Sequence, residues 1–520
     1  VSRVLVLGLD SADAELIERW ADEGHLPTFA ALRRSGAWER LGTTAEVLHV
    51  SAWPTIYTGA TPGRHGLYHA YQARAGTQAL HRTRVEWGAL PAFWQLLDRV
   101  GKRCLVMDAF MDRPLNDFGG TQIVEYGTWT WFSDPGGRPR RVHRELMRRF
   151  GPYPAPEHSK VLTVPEPVWF RDQLVAGARR KGEVVGWLLG EMPWDMAFIG
   201  FGEPHGAGHY LWHVSDPEYP SHPAAGVPGA EHALRDVYAA VDEALGTILA
   251  RVDRSTTILV TSGDGMGPNY SAPHLLPEVL HRLGLFHGAG VGAGAAGDAP
   301  AAPGKKGGLA AAIRQMIPLQ ARQAVTKCLP RSLHYRLSMK WVNSAIDWER
   351  SKAVCIPNSN EGYVRVNLEG RESRGIVPQG AAYEDLLAEM EVRLGELVEP
   401  TRGRTAAERL VRMDRMFAGS ERRHLPDLVF TWDPGARVLG DLESAACGRV
   451  HGPAGYELAP YYTGNHRPTA FVAGKGPGIG PGVIPANGHI VDLPPTIFAL
   501  LGVEPAAQFE GRAWTDFTRR

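Results

Sequence analysis

Five short, uninterrupted apolar runs constrain the fold of this chain more than any other feature: Val4–Leu9, Cys104–Met107, Met196–Phe201, Thr257–Val260 and Ala470–Ala473. A strand with one wet face alternates apolar and polar residues, whereas an unbroken run is buried on both faces, as in a parallel sheet covered by helices. Between the runs lie segments with helical spacing of apolar residues, among them Ala14–Trp20, Ala92–Arg99, Phe170–Leu189 and His232–Arg251. Strands alternating with helices predict an α/β fold, a doubly wound sheet with helices on both faces. Ligands of such sheets sit beyond the carboxyl ends of the strands, which makes neighbours of Asp10, the Gly202–His209 segment and the Ser262–Gly267 segment.

With 520 residues, 44% of them hydrophobic, the chain can bury a large core and form more than one domain. Lys plus Arg and Asp plus Glu both total 56. No global field therefore favours nucleic acid or an anionic membrane, and neither is expected as a partner. The four cysteines, Cys104, Cys328, Cys355 and Cys447, are too scattered for a disulfide framework or a Cys-based zinc knuckle. The chain runs directly into Val4–Leu9 with no leader-like segment, and no stretch reaches the roughly 20 apolar residues that span a bilayer. The expected compartment is the cytoplasm.

Composition divides the chain further. His287–Gly308 is rich in Gly, Ala and Pro and reads as a linker. Lys305–Lys340 then carries Arg314, Arg322, Lys327, Arg331 and Arg336 with no acidic residue, either a solvated helical face or an electropositive lid over a phosphorylated substrate. From Ile346 to Trp432 the pattern turns to strand-like pieces such as Gly362–Leu368 and the helix Tyr383–Leu397. The expected organisation is a core over 1–290, a linker and basic helical segment over 291–345, an inserted α+β cap over 346–440, and a return to the core over 441–520. No internal repeat is visible.

Candidate chemistry gathers at the strand ends. Asp10 closes the first apolar run, where a carboxylate can bind a metal or cap the following helix. His205 and His209 stand four residues apart, so both imidazoles face one ion if the segment has helical pitch. Gly206 and Gly208 weaken a helix there, and a tight loop is an equal alternative.

The segment from His49 to Gly66, with Thr58-Gly59-Ala60-Thr61-Pro62-Gly63-Arg64-His65-Gly66 at its end, resembles a motif of the alkaline phosphatase superfamily. The likeness is to its type I phosphodiesterase/nucleotide pyrophosphatase branch, nearest the predicted phosphohydrolase/phosphomutase group. In that family a Thr or Ser nine residues before the Thr-Gly is the nucleophile and a metal ligand. Here the count from Thr58 lands on His49, while Trp53 keeps the family spacing. Ser51 would serve as nucleophile only with a shifted loop register.

The family's Asp-x-x-x-His followed by Trp is similar to His205, His209 and Trp212, with His205 in place of Asp. Its Ser-Asp-His-Gly resembles Ser262-Gly263-Asp264-Gly265, which loses one ligand and exchanges another. Its Gly-x-His-Arg resembles Gly464-Asn465-His466-Arg467. A closing block over Phe471–Ile479, Val491–Thr496 and Glu510–Arg512 is also similar, as are Ile346–Trp348, Val366–Arg371 and Pro426–Val429. The resemblance implies an alkaline-phosphatase-like core with an inserted cap. It implies one metal at His205, His209 and His466, a second at Asp10, His49 and Asp264, and His49 or Ser51 as the catalytic group.

Three imidazoles suit one or two divalent transition-metal ions, zinc first, with iron, manganese, cobalt or copper as alternatives, and disfavour calcium. Three protein ligands leave a position open for water or substrate. The leading expectation is a metal-dependent hydrolase of a small anionic phosphate, phosphonate or sulfate ester, acting through metal-bound hydroxide in place of a Ser or Thr nucleophile. A histidine-rich iron or copper centre that activates oxygen is the alternative, and a non-catalytic binding protein is the third. The sequence singles out no substrate-binding residue and no oligomeric state.

Overall fold

The computed structural model of the chain describes residues 3–83, 90–127, 133–156, 165–288, 343, 346–452, 462–477, 479, 484 and 486–514. Two compact units divide it, one built from 1–67, 84–269 and 461–520, the other from 68–83 and 270–460. The Gly/Ala-rich linker beyond Gly288 and the basic stretch Lys305–Lys340 lie outside the described residues.

The first unit is organised by one sheet. Its strands are β1 (Arg3–Leu9), β2 (Ala37–Leu41), β3 (Cys104–Met107), β4 (Thr121–Val124), β5 (Gly136–Arg138), β6 (Met196–Phe201), β7 (Thr256–Ser262) and, after a two-stranded ribbon of β8 (Gly265–Pro268) with β9 (Gly464–Arg467), β10 (Ala470–Lys475). Their order is β2-β10-β7-β1-β6-β3-β4-β5. β1 lies at the centre, parallel to β6 through Val4↔Met196 and to β7 through Val4↔Thr257. All five apolar runs fall in this sheet.

The last of them does not run parallel. β10 pairs antiparallel with β7, β2 with β10, and β5 with β4, so the sheet is mixed at both edges. A strand buried on both faces is apolar whichever way its neighbour runs, so the run itself carried no sign of direction.

Both faces of the sheet are covered. Val4 and Val6 belong to a buried cluster that includes Trp53, Trp94, Phe198 and Phe498. Leu5 and Leu7 point the other way, by the period of two, and are equally buried. The helices α1 (Ala14–Asp22), α2 (Pro167–Glu191) and α4 (Ala233–Leu249) follow the expected segments closely, and α3 (Glu203–Ser215) joins them. Asp13 caps α1, its Oδ1 accepting from the backbone N–H of Glu15 and Leu16 at 3.0 Å each. The capping role open to Asp10 thus belongs to Asp13, three residues further on.

α3 resolves the choice between helix and loop at His205–His209 in favour of a helix. Pro204 stands in its first turn, where a missing N–H is harmless. Gly208 is retained for approach: a side chain there would strike Met266 of β8, 2.6 Å from the position of its Cβ. At Gly464 of β9 a Cβ would lie 2.1 Å from the Gly208 carbonyl oxygen. Helix and ribbon therefore meet backbone to backbone.

Beneath α3 sits a buried ionic network. Lys181 of α2 has no exposed surface and donates to the carbonyl oxygens of Gly127 and Gly200 at 3.1 and 3.0 Å. Its Nζ lies 3.2 Å from Asp108 and 3.7 Å from Glu203, the first residue of α3. Tyr153 donates to Glu203 at 2.5 Å. Burial pushes the Glu203 carboxyl up from its ordinary range.

The second unit holds an antiparallel sheet in the order Ala353–Ile356, Gly362–Val366, Leu428–Trp432 and Ala407–Arg412. A second sheet and the ribbon of Tyr71–Ala73 with Leu80–Arg82 complete its strands among the described residues. The helix Ala381–Gly395 contributes Leu387 and Met390 to its core, beside Val354, Val364 and Phe430. Among the described residues no helix is long and apolar enough to cross a membrane.

Gly464→Ala should lower stability by about 1–3 kcal/mol or more, because backbone faces the new methyl and cannot yield as a side chain would; urea unfolding measures it. Lys181→Met should cost about 3–5 kcal/mol by leaving two buried carboxylates without their cation. Adding Glu203→Gln to that variant should recover part of the loss in the same measurement.

Candidate functional site

The strand ends of the first unit converge as the doubly wound topology requires. Asp10 follows β1, α3 follows β6, and Asp264 lies between β7 and β8. His466 is delivered by the ribbon, where it pairs with Met266.

His205, His209 and His466 are the one group of three or more His, Cys, Asp or Glu among the described residues whose ligand atoms lie within 4.8 Å of one another. Helical pitch places His205 and His209 on one face of α3, their Nε2 atoms 3.0 Å apart. His466 approaches with ring centroids 5.3 Å from His205 and 5.1 Å from His209.

One outward nitrogen fixes how its ring is protonated, and the other two face oxygen atoms. His209 Nδ1 lies 2.9 Å from the Gly464 carbonyl oxygen, which can only accept, so Nδ1 carries the proton and the lone pair falls to Nε2. His466 Nδ1 lies 2.7 Å from Asp264 Oδ2 and 3.2 Å from the Ser11 hydroxyl. His205 Nδ1 is 3.5 Å from Asp10 Oδ2. This backing of imidazoles by carbonyl and carboxylate oxygens is the usual support of metal-binding histidines. With the proton of His209 on Nδ1, its Nε2 lone pair faces His205 Nε2 across 3.0 Å, a place where a proton or a cation fits between the two rings. The donor set thus fits a divalent transition metal.

Asp10 is buried, and its Oδ1 accepts a hydrogen bond from Trp53 Nε1 at 2.7 Å. Burial, then the nearby charge of Asp264, raises its pKa to about 8. His49 opens a short 3-10 turn, His49–Ser51, and stacks on His466 with centroids 4.3 Å apart and planes 25° from parallel. Asp10, His49 and Asp264 adjoin the three histidines without forming a second mutually close ligand group of the same kind.

Ser51 is not brought into this cluster. It has no exposed surface, and its hydroxyl lies 2.7 Å from Thr44 Oγ1 and 2.5 Å from the Leu48 carbonyl oxygen. The 3-10 turn holds its side chain against the preceding loop.

Two residues escaped the sequence reading, and so did the contact made by a third. Ser11 adopts φ 51°, the left-handed region that disfavours a side chain, and so swings its hydroxyl back to Asp264 and His466. Such a conformation costs about 1 kcal/mol or more and is often held at functional sites. Tyr462 stacks on His209 with centroids 4.0 Å apart. Trp53 was visible as a spacing match, but its bond to Asp10 was not. Adjacency to Asp10 and to the Gly464 motif were the available signals for the first two.

Phosphonoacetate hydrolase from Sinorhizobium meliloti 1021, in complex with phosphonoformate, is similar in structure over 96% of this chain and 95% of its own, with a TM-score of 0.47 and 13% identity. Human ectonucleotide pyrophosphatase/phosphodiesterase 5 is similar over 97% and 96%, with a TM-score of 0.44 and 10% identity. The inactive murine form in complex with AMP covers the same shares at a TM-score of 0.45 and 10% identity. No curated protein matches the chain. The family model described as type I phosphodiesterase/nucleotide pyrophosphatase matches residues 4–456. Matched over most of its length, the chain belongs to the type I phosphodiesterase/nucleotide pyrophosphatase family, and with it to the phosphoester hydrolases.

Proposed function

We propose that this protein is a metal-dependent hydrolase of small phosphate, phosphonate or sulfate esters whose nucleophile is water, not a side-chain hydroxyl. The observation that carries the reading is the convergence of His205, His209 and His466, with Nδ1 of His209 and of His466 turned to oxygen partners. A divalent ion held there, zinc first, supplies Lewis acidity and lowers the pKa of a coordinated water to about 7.

The chain's own groups divide the remaining work. Gly464 fixes His209, and Asp264 with Ser11 fixes His466, so that the donor nitrogens are pre-positioned. Three neutral imidazoles add no negative charge, and an anionic ester meets less repulsion than at a carboxylate-rich set. His49, stacked on His466 at the position of the family's hydroxyl nucleophile, is the group suited to take a proton from the attacking water at a ring nitrogen.

His209→Ala should strip bound zinc and lower turnover of bis(p-nitrophenyl) phosphate at least a hundredfold, measured by elemental analysis and steady-state kinetics. Ser51→Ala should cost less than tenfold in the same assay. Abolished turnover in Ser51→Ala, together with a trapped phosphoserine at Ser51, would return the reaction to a covalent hydroxyl mechanism.

A further inference from the structure

We infer that the centre is mononuclear: His205, His209 and His466 hold one divalent ion, while Asp264, Ser11 and Asp10 stand behind the imidazoles as positioning residues instead of ligating a second ion. This deepens the metal reading above and rests on it.

The first argument is direction. A carboxylate that orients a histidine through Nδ1 has its oxygen at hydrogen-bond distance from that nitrogen, and Asp264 Oδ2 lies 2.7 Å from His466 Nδ1. Ser11 completes a three-membered contact, its Oγ 3.4 Å from the same carboxylate oxygen and 3.2 Å from the same nitrogen. The positive φ of Ser11 is what brings the hydroxyl there. Asp10 stands in the looser version of that arrangement, 3.5 Å from His205 Nδ1, with Trp53 holding its other oxygen.

Space supplies the second argument. At Gly263 a Cβ would lie 2.9 Å from the Ala52 Cβ and 3.3 Å from Ile56 Cδ1, so the helix Ala52–Thr58 is packed against the place where a further ligand side chain would begin. Thr43 pins the same backbone by donating to the Gly263 carbonyl oxygen at 2.6 Å. A second ion would have to draw on Asp10, His49 and Asp264. Their ligand atoms do not form a mutually close group as the three histidines do. His49 instead lays its ring face on His466.

The test uses the full chain freed of metal by chelation, with zinc chloride as the probe. Bound zinc per chain is counted by elemental analysis after gel filtration, and affinity is read by calorimetric titration. One zinc per chain is expected in the unaltered protein. Asp264→Asn should still bind one, with Kd raised roughly 10–100-fold, the usual effect of removing an outer partner of a metal-binding histidine. Ser11→Ala, the milder variant should Asp264→Asn fail to fold by circular dichroism, should also bind one with a several-fold weaker Kd. A split between unchanged stoichiometry and weakened Kd marks positioning, because loss of a ligand to a second ion would change the count. Two zinc ions falling to one in Asp264→Asn would overturn the inference and leave the hydrolase reading standing. An unchanged Kd in both variants would also overturn it. A protein that retains neither zinc nor another divalent ion would overturn the metal reading itself.

Discussion

The site depends on one close contact, the meeting of α3 and the β8–β9 ribbon at Gly208 and Gly464. Two hydrogen bonds lock that meeting to His209: Thr463 N–H donates to the His209 carbonyl oxygen at 2.7 Å, and His209 Nδ1 donates to the Gly464 oxygen at 2.9 Å. The first sets where the backbone of His209 lies, and the second sets which way its ring turns. Two residues beyond Gly464 the same ribbon presents His466. With a side chain at either glycine the strand would stand off from the helix, and the imidazoles would part before any question of ligand chemistry arose.

Charge is arranged around this contact with a consistent logic. The three imidazoles face one another, Asp264 lies behind His466, and the lysine beneath α3 answers the acidic groups that burial would otherwise penalise. Under the proposed metal reading, a carboxylate behind an imidazole would raise the basicity of the donor nitrogen without itself entering the inner set.

Much of this was legible in the sequence, for identifiable reasons. Unbroken apolar runs can only be doubly buried strands or helix cores, and all five entered one sheet. His205, His209 and His466 were picked out by motif likeness, since no spacing rule joins residues so far apart in the chain. Direction was not legible, as Ala470–Ala473 shows. The contact of Asp264 with His466 Nδ1 was not legible, because a carboxylate that binds a metal and one that orients an imidazole have the same composition and differ only in where they point. Ser11 was hidden for another reason: nothing in its neighbours announces a left-handed residue that is not glycine. The basic stretch Lys305–Lys340 lies outside the described residues.

The ribbon contact has a consequence for how the molecule comes into being. His209 and its Gly464 partner are 255 residues apart. Most of the central sheet is synthesised long before the strand that delivers His466, and domains generally fold as units while the chain emerges. The first unit therefore cannot complete its sheet, or bring the third histidine to the other two, until these last strands have emerged. The centre closes only when the last strands dock, at the entropic cost of joining distant segments. Any capacity that needs all three imidazoles is in this way withheld from unfinished chains.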